Sequence, residues 1–355
     1  MPLDLGGNPF ISPSPFWRLG VVSPISDGGF SLAPLEAVVW PCTLRCNGVC
    51  VHCYVRGRFH RELGSDEGRR LVAEVAEAGA EMLSFVGGEP LLREDLPLLM
   101  RYAVDSGLMV EVVTNGFLMS GEVARMLSRL EARVLLSVDG ASKPVCESMR
   151  GEGAWERILA AAEVMRLAGL DFIPVMALTS FNVREAGDFV SFSCGVGGKM
   201  ASFLTLMPSG AARGNRLLAL SPEQLRHALA EICRVADSLS YPAEVRCTPF
   251  AERIADSSHV KVWGCYYKVM DLNSVGDVLL CDVLDIKVGN ILEDGGPESW
   301  GRLYGERVGM GLLDWRKLRG KCASCPSKTS CLGGCRARAY LETGSFFNPD
   351  PLCPI

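Results

Sequence analysis

The sequence predicts an α/β chain: a partial (β/α)6 TIM-type barrel followed by a small cysteine-rich domain. Short apolar runs alternate with longer amphipathic stretches from about Glu36 to Leu206. After Pro242 the segments shorten, glycines multiply, and eight of the 15 cysteines gather. The strand candidates are Ala37–Trp40, Met82–Val86, Met109–Val113, Val134–Val138, Phe172–Leu178 and Met200–Leu206. Helix-like stretches fall near Asp66–Ala78, Asp95–Ser106, Gly121–Leu130, Ala154–Ala168 and Arg184–Phe192. Continuous Val, Ile, Leu and Phe strands separated by helices are the pattern of a parallel sheet covered by helices. Ligands bind such sheets at the C-terminal ends of the strands, so the residues just after each strand are the candidates for chemistry.

Ser221 and Pro222 open one more helix, a cap followed by the residue best suited to the first turn, running to about Ser240. The expected division is an N-terminal extension at 1–35, the barrel at 36–241 and the cysteine-rich domain at 242–355. The chain has 355 residues, is 48% hydrophobic and 22% charged, and carries a net charge of −5. These values describe an ordinary globular protein and give no clustered positive face for nucleic acid. No stretch approaches the roughly 18 apolar residues of a membrane span, so the expected location is the cytoplasm. Clustered cysteines in a reducing compartment point to metal or redox chemistry.

Cys46, Cys50 and Cys53 stand in a C-x3-C-x2-C pattern directly after the first strand. Three thiolates on one loop can hold three corners of a 4Fe–4S cube and leave the fourth iron open to a ligand. A zinc site with His52 or Cys42 as fourth ligand is the alternative reading of the same spacing. Cys42, Cys146, Cys194 and Cys233 read as core residues.

Here the sequence resembles the radical S-adenosylmethionine (SAM) superfamily, and the likeness extends past the cysteines. His52 falls where that family places a ring near the adenine. Gly87-Gly88-Glu89-Pro90 follows the second strand and is similar to the family's GGEP motif, which receives the amino group of SAM. Asn115, after the third strand, lies at a position used near the ribose. Ser137-Val138-Asp139-Gly140 and Arg150 resemble the S-x-D-G stretch and the later arginine, which the family places at the ribose and carboxylate end. Leu206, after the sixth strand, completes the implied SAM pocket. The resemblance implies reductive cleavage of SAM to a 5′-deoxyadenosyl radical that abstracts a substrate hydrogen. It also implies a low-potential electron donor such as ferredoxin or flavodoxin.

The C-terminal third holds Cys265-x10-Gly276-x4-Cys281, then Cys322-x2-Cys325-x5-Cys331-x3-Cys335, then Cys353. This resembles the SPASM extension of many radical SAM enzymes. By that resemblance Cys322, Cys325, Cys331 and Cys353 hold an outer auxiliary cluster, and Cys265, Cys281 and Cys335 an inner one. Either Cys247 closes the inner cluster or one iron stays open for substrate. Asp282, beside Cys281, stands where sulfatase-maturing relatives have a proton-accepting aspartate; a strand-capping aspartate is the other reading. Leu206-Met207-Pro208-Ser209-Gly210 and the stretch Gly333–Tyr340 resemble the haem-biosynthesis branch, where the substrate is a tetrapyrrole side chain. Oxidative maturation of a peptide or protein, or of a metal cofactor, is the alternative. Arg336 and Arg338 read as solvated helix residues rather than as binders of propionate.

Overall fold

The computed structural model describes residues 32–58, 61–264 and 267–355. Cys265 and positions 1–31 of the N-terminal extension lie outside the described residues. Ser31–Ile355 form one compact unit.

Six strand–helix units build the barrel. They run β1 (Ala37–Thr43), α1 (Ser65–Glu77), β2 (Met82–Gly87), α2 (Leu96–Asp105), β3 (Met109–Thr114) and α3 (Gly121–Arg129). They continue through β4 (Arg133–Ser137), α4 (Lys143–Arg150), α5 (Ala154–Leu167), β5 (Phe172–Leu178), α6 (Ala186–Gly195) and β6 (Ala201–Thr205). Each strand pairs in parallel with the next. The outer face carries Trp40, Phe85, Val112, Leu136 and Phe203, all buried against helix residues such as Leu71, Leu99 and Leu127. Burying each of these side chains contributes roughly 1.5–3 kcal/mol. Of the cysteines expected in the core, Cys42, Cys146 and Cys233 are buried, but Cys194 is exposed. It falls off the inner face of α6, which presents Ala186, Phe189, Val190 and Ser193.

The sheet continues past the six predicted strands. After α7 (Pro222–Leu239), capped by Ser221 with Gln224 in return, come β7 (Ala243–Arg246) and β8 (Val260–Trp263), both parallel. No apolar run announces β7, because two of its four residues are charged. Glu244 accepts from Ser202 at 2.7 Å and pairs with Arg246 at 2.7 Å. Arg133 of β4 also reaches Glu244 at 3.8 Å, across two intervening strands. A flat sheet would hold those strands about 14 Å apart, so the contact reports a concave, barrel-like face.

On the other edge β9 (Val269–Leu272) pairs in parallel with β1, and β10 (Asp277–Cys281) and β11 (Leu284–Asn290) add antiparallel strands. The order is β11-β10-β9-β1 through β8, so the barrel stays open. The chain ends with the helices α8 (Ile291–Asp294), α9 (Gly296–Gly309), α10 (Lys328–Cys331) and α11 (Arg336–Thr343). No helix among the described residues is long and apolar enough to cross a membrane.

Candidate active site

The loop after β1 is clamped by neighbouring loops. Gly88 and Glu89 donate backbone hydrogen bonds to the Thr43 and Arg45 carbonyls at 2.8 Å, Val51 donates to Met149 at 3.0 Å, and Ala211 to Cys53 at 2.8 Å. Glycine is required at this junction. A Cβ on Gly87, whose φ is +135°, would sit 2.1 Å from the Thr43 oxygen. One on Gly88 would sit 2.1 Å from the Arg45 oxygen. Gly88→Ala is therefore expected to displace the cysteine loop and lower SAM cleavage by about a hundredfold, the scale on which misplacement of about 1 Å acts. Release of 5′-deoxyadenosine is the measurement.

Cys46, Cys50 and Cys53 converge on this loop. A Cβ on Gly48 would touch the sulfurs of both Cys46 and Cys50, at 3.5 and 3.7 Å. Donors point at the sulfurs: the Gly48 N–H at 3.3 Å and Asn115 Nδ2 at 3.9 Å from Cys46, and Arg150 at 3.7 Å from Cys50. Burial pushes the thiols of Cys46 and Cys50 up, as does each neighbouring sulfur. A bound cation reverses that balance, and donors aimed at sulfur favour thiolate ligands. The donor set fits three corners of an iron–sulfur cube. Cys42 does not belong to it: its thiol is fully buried, donates to the Val86 carbonyl and is pushed up to about 12 by burial.

Around these sulfurs stands a buried polar ring. Asp139, with φ +65° and 1% exposure, pairs with His52 Nε2 at 3.0 Å and Arg150 at 2.7 Å. It also accepts from the Ala177 N–H at 2.6 Å. Burial opposes its charge, yet Arg150 and His52 hold the carboxyl well below the usual range. The carboxylate is thus committed to protein partners and orients His52 and Arg150. Among the described residues, His52 Nδ1 and Arg150 Nε are buried with no hydrogen-bond partner, as in a site shaped for a polar ligand. Glu89 is likewise committed: it accepts from Thr114 Oγ1 and the Asn115 N–H, both at 2.7 Å, and from the Leu91 N–H at 3.1 Å. Pro90 starts a short 3₁₀ turn, and Ser137 ends β4 half-buried. Leu206 packs beside Met149, Ala212 and Leu218.

The C-terminal cysteines form two further groups. Cys322, Cys325, Cys331 and Cys353 line one pocket with Phe250, Ser327, Lys328, Gly333 and Ile355. Burial pushes the Cys331 thiol up to about 12, and Cys353 adds to the rise. Four sulfurs around one cavity fit a closed cluster site. Cys281 and Cys335 pack against Val283, Leu284 and Ala337, in a patch that Tyr54 and Met207 also join. Tyr54 follows Cys53, so this second pair adjoins the first loop.

Arg336 and Arg338 are not solvated. Arg336 is buried and donates to the Phe346 carbonyl at 2.9 Å. Arg338 clasps Asp350 through two bonds of 2.8 and 2.7 Å, and donates to Thr205 Oγ1 at 2.6 Å and the Cys247 carbonyl at 3.4 Å. Asp350 Oδ2 also accepts from the Cys335 N–H at 2.8 Å, which completes the link. Cys247 itself sits at φ +58°, and its thiol and that of Cys335 both act on the charge of Arg338. This arrangement gathers Cys247 with Cys335.

Sequence reasoning missed Asp271. Its side chain, Cys281 Sγ and the Asp282 carboxylate bring ligand-type atoms within 4.8 Å of one another. The signal was a charged residue inside the apolar strand β9, whose register across β10 sets Asp271 opposite Leu279. Burial and then Asp282 push the Asp271 carboxyl up to about 8. Burial also raises Asp282, against the pull of Arg58, Cys281 and a hydrogen bond from Tyr54. Two partly buried carboxyls this close favour holding one proton between them.

Three convergent thiols beneath a buried ring of polar groups, at the C-terminal mouth of a parallel barrel, define a site for one-electron chemistry on a bound cofactor. The chain belongs to the radical SAM superfamily, whose profile matches residues 40–192. Members of this superfamily are enzymes that use a 4Fe–4S cluster and SAM. The chain is 32% identical over 340 residues to an AdoMet-dependent heme synthase of Methanosarcina barkeri, covering 89% of this chain and 95% of that one. It is 28% identical to a mycofactocin maturase of Mycolicibacterium smegmatis, over 90% of this chain and 83% of that one. Native anSMEcpe with bound AdoMet superposes with a TM-score of 0.72 at 20% identity, over 90% of this chain and 94% of that chain, a likeness of fold.

Proposed function

We propose that this radical SAM enzyme modifies the side chains of a haem-type tetrapyrrole. The observation that carries the reading is the likeness to an AdoMet-dependent heme synthase along 95% of that relative's length. Oxidative maturation of a peptide is the second reading, favoured by the likeness to a mycofactocin maturase.

Cys46, Cys50 and Cys53 would hold the 4Fe–4S cluster that, when bound, supplies the electron for splitting SAM. His52 Nδ1 and Arg150 Nε are polar atoms placed to meet SAM, with Asn115, Ser137, Gly87, Gly88, Pro90 and Leu206 shaping its pocket. Asp139 and Glu89 act as positioning residues: they fix the orientation of His52, Arg150 and the Thr114–Asn115 turn. Residues 242–355 would form the auxiliary-cluster domain. In it Cys322, Cys325, Cys331 and Cys353 are the outer ligands, and Cys281, Cys335, Cys247 and Cys265 the inner ones. Under the peptide reading Asp282, hydrogen-bonded by Tyr54 and pushed up by burial, would take a proton from the substrate.

The test is anaerobic turnover of an iron porphyrin that still carries propionate side chains, with SAM and dithionite. The expected result is SAM-dependent loss of carboxyl mass from the porphyrin. Asp282→Asn should leave that loss near the wild-type level, because a propionate radical gives up carbon dioxide and one electron but no proton. It should cut turnover of a peptide substrate by about a hundredfold, the usual scale for a general base. Unchanged porphyrin alongside vigorous SAM cleavage would reject the tetrapyrrole reading and leave the peptide one.

A further inference from the structure

Between Arg316 and Lys328 the chain carries five cations and no carboxylate, although its net charge is −5. Arg316 is neutralised by Asp314 at 2.8 Å. Lys317, Arg319, Lys321 and Lys328 form no ion pair with a carboxylate among the described residues. This run flanks the pocket of the four outer cysteines. Lys328 lines that pocket, and Lys321 Nζ donates to the Cys353 carbonyl at 2.6 Å. Lys317 and Arg319 stand exposed beyond it, Lys317 over the Phe347 ring at 5.9 Å.

Lys321 and Lys328 contact the cysteine loops and can balance thiolate charge there. Lys317 acts on Asp314, the carboxylate that already pairs with Arg316. One negative charge thus serves two cations while Arg319 adds a third, and like charges in excess on one face repel each other. An acidic surface docked on this rim offsets that repulsion, and complementary charge speeds encounter and fixes orientation. Splitting SAM consumes one electron, so the chain must be charged by a reductant before turnover.

We propose that the Arg316–Lys328 rim docks an acidic, ferredoxin-like iron–sulfur protein, placing that carrier at the mouth of the outer-cysteine pocket. One electron passes from the reduced carrier, which is oxidised, to this chain, which is reduced; no bond forms or breaks. The proposal rests on the reading of Cys322, Cys325, Cys331 and Cys353 as cluster ligands.

The test uses the reconstituted holoenzyme and a purified acidic two-cluster ferredoxin, with binding followed by interferometry across a series of KCl concentrations. Affinity should fall steeply as salt rises, because screening weakens exposed charge pairs. Lys317→Glu/Arg319→Glu should weaken low-salt binding by about tenfold and flatten the salt dependence. Its iron content and dithionite-driven SAM cleavage should match the wild type. Arg125→Glu/Arg129→Glu on α3 imposes the same net charge elsewhere and should bind normally. Equal weakening in both variants, or none in either, overturns the docking site while leaving the cluster assignment intact. A holoenzyme with only about four irons removes the outer cluster and the proposal with it.

Discussion

The Cys46→Ala/Cys50→Ala/Cys53→Ala variant should lose SAM cleavage completely and about four of eleven to twelve irons per chain, while keeping the rest. The separation is expected because these thiols lie on a loop rather than in the core. Cys46 is exposed, and Cys50 and Cys53 are half-buried. The clamps on that loop are backbone hydrogen bonds that survive loss of the sulfurs. Removing the sulfurs therefore takes away the ligands and leaves the barrel. Anaerobic reconstitution, iron counting and 5′-deoxyadenosine release on wild type and variant make the comparison. A colourless, zinc-loaded wild type inert toward SAM would overturn the assignment. The structure already withdraws Cys42 as a fourth zinc ligand, since its thiol is fully buried and donates to the Val86 carbonyl.

Arg338→Met should cost about 3–5 kcal/mol of stability, among the largest effects of any single change, because it strands a buried charge. The side chains of Arg338 and Asp350 are 3% and 0% exposed. Burial works against the guanidinium, but Asp350 and the Cys335 thiol hold it charged. Without Arg338, Asp350 keeps, among the described residues, the backbone donors of Cys335 and Leu352. The damage reaches chemistry, because the same guanidinium ties Thr205 at the end of β6 to the Cys247 carbonyl. Auxiliary-cluster iron should drop with the melting temperature, while the Cys46 loop keeps its own. Arg338→Lys should rescue little, since an ammonium cannot supply the two-pronged contact. The double variant Arg338→Met/Asp350→Leu should recover much of the stability, because it leaves no orphaned charge. Anaerobic thermal unfolding with iron analysis reads both effects. A single variant as stable as wild type would show that the pair is dispensable.

Much of this protein was legible along the chain. Trp40, Phe85 and Phe172 sit in the apolar runs that mark strands, and the structure keeps those strands within three residues of their expected ends, β1 running on to Thr43. The C-x3-C-x2-C loop and the GGEP turn were legible for a related reason: the groups that must meet are neighbours in sequence. Apolar periodicity and ligand spacing are local quantities, and the chain by itself determined them.

Tertiary structure decided which charges are buried and with whom. Asp139 collects His52 from the loop after β1 and Arg150 from the end of α4, and Arg338 finds Asp350 rather than solvent or a substrate carboxylate. Asp271 meets Asp282 because β9 and β10 pair in one register and not another. β7 joins the sheet although half its residues are charged, because Ser202 and Arg133 wait on the concave face to receive Glu244. A buried charge is tolerable only when a partner offsets its lost hydration. That partner is chosen by the fold in three dimensions, so no window of sequence displays the choice.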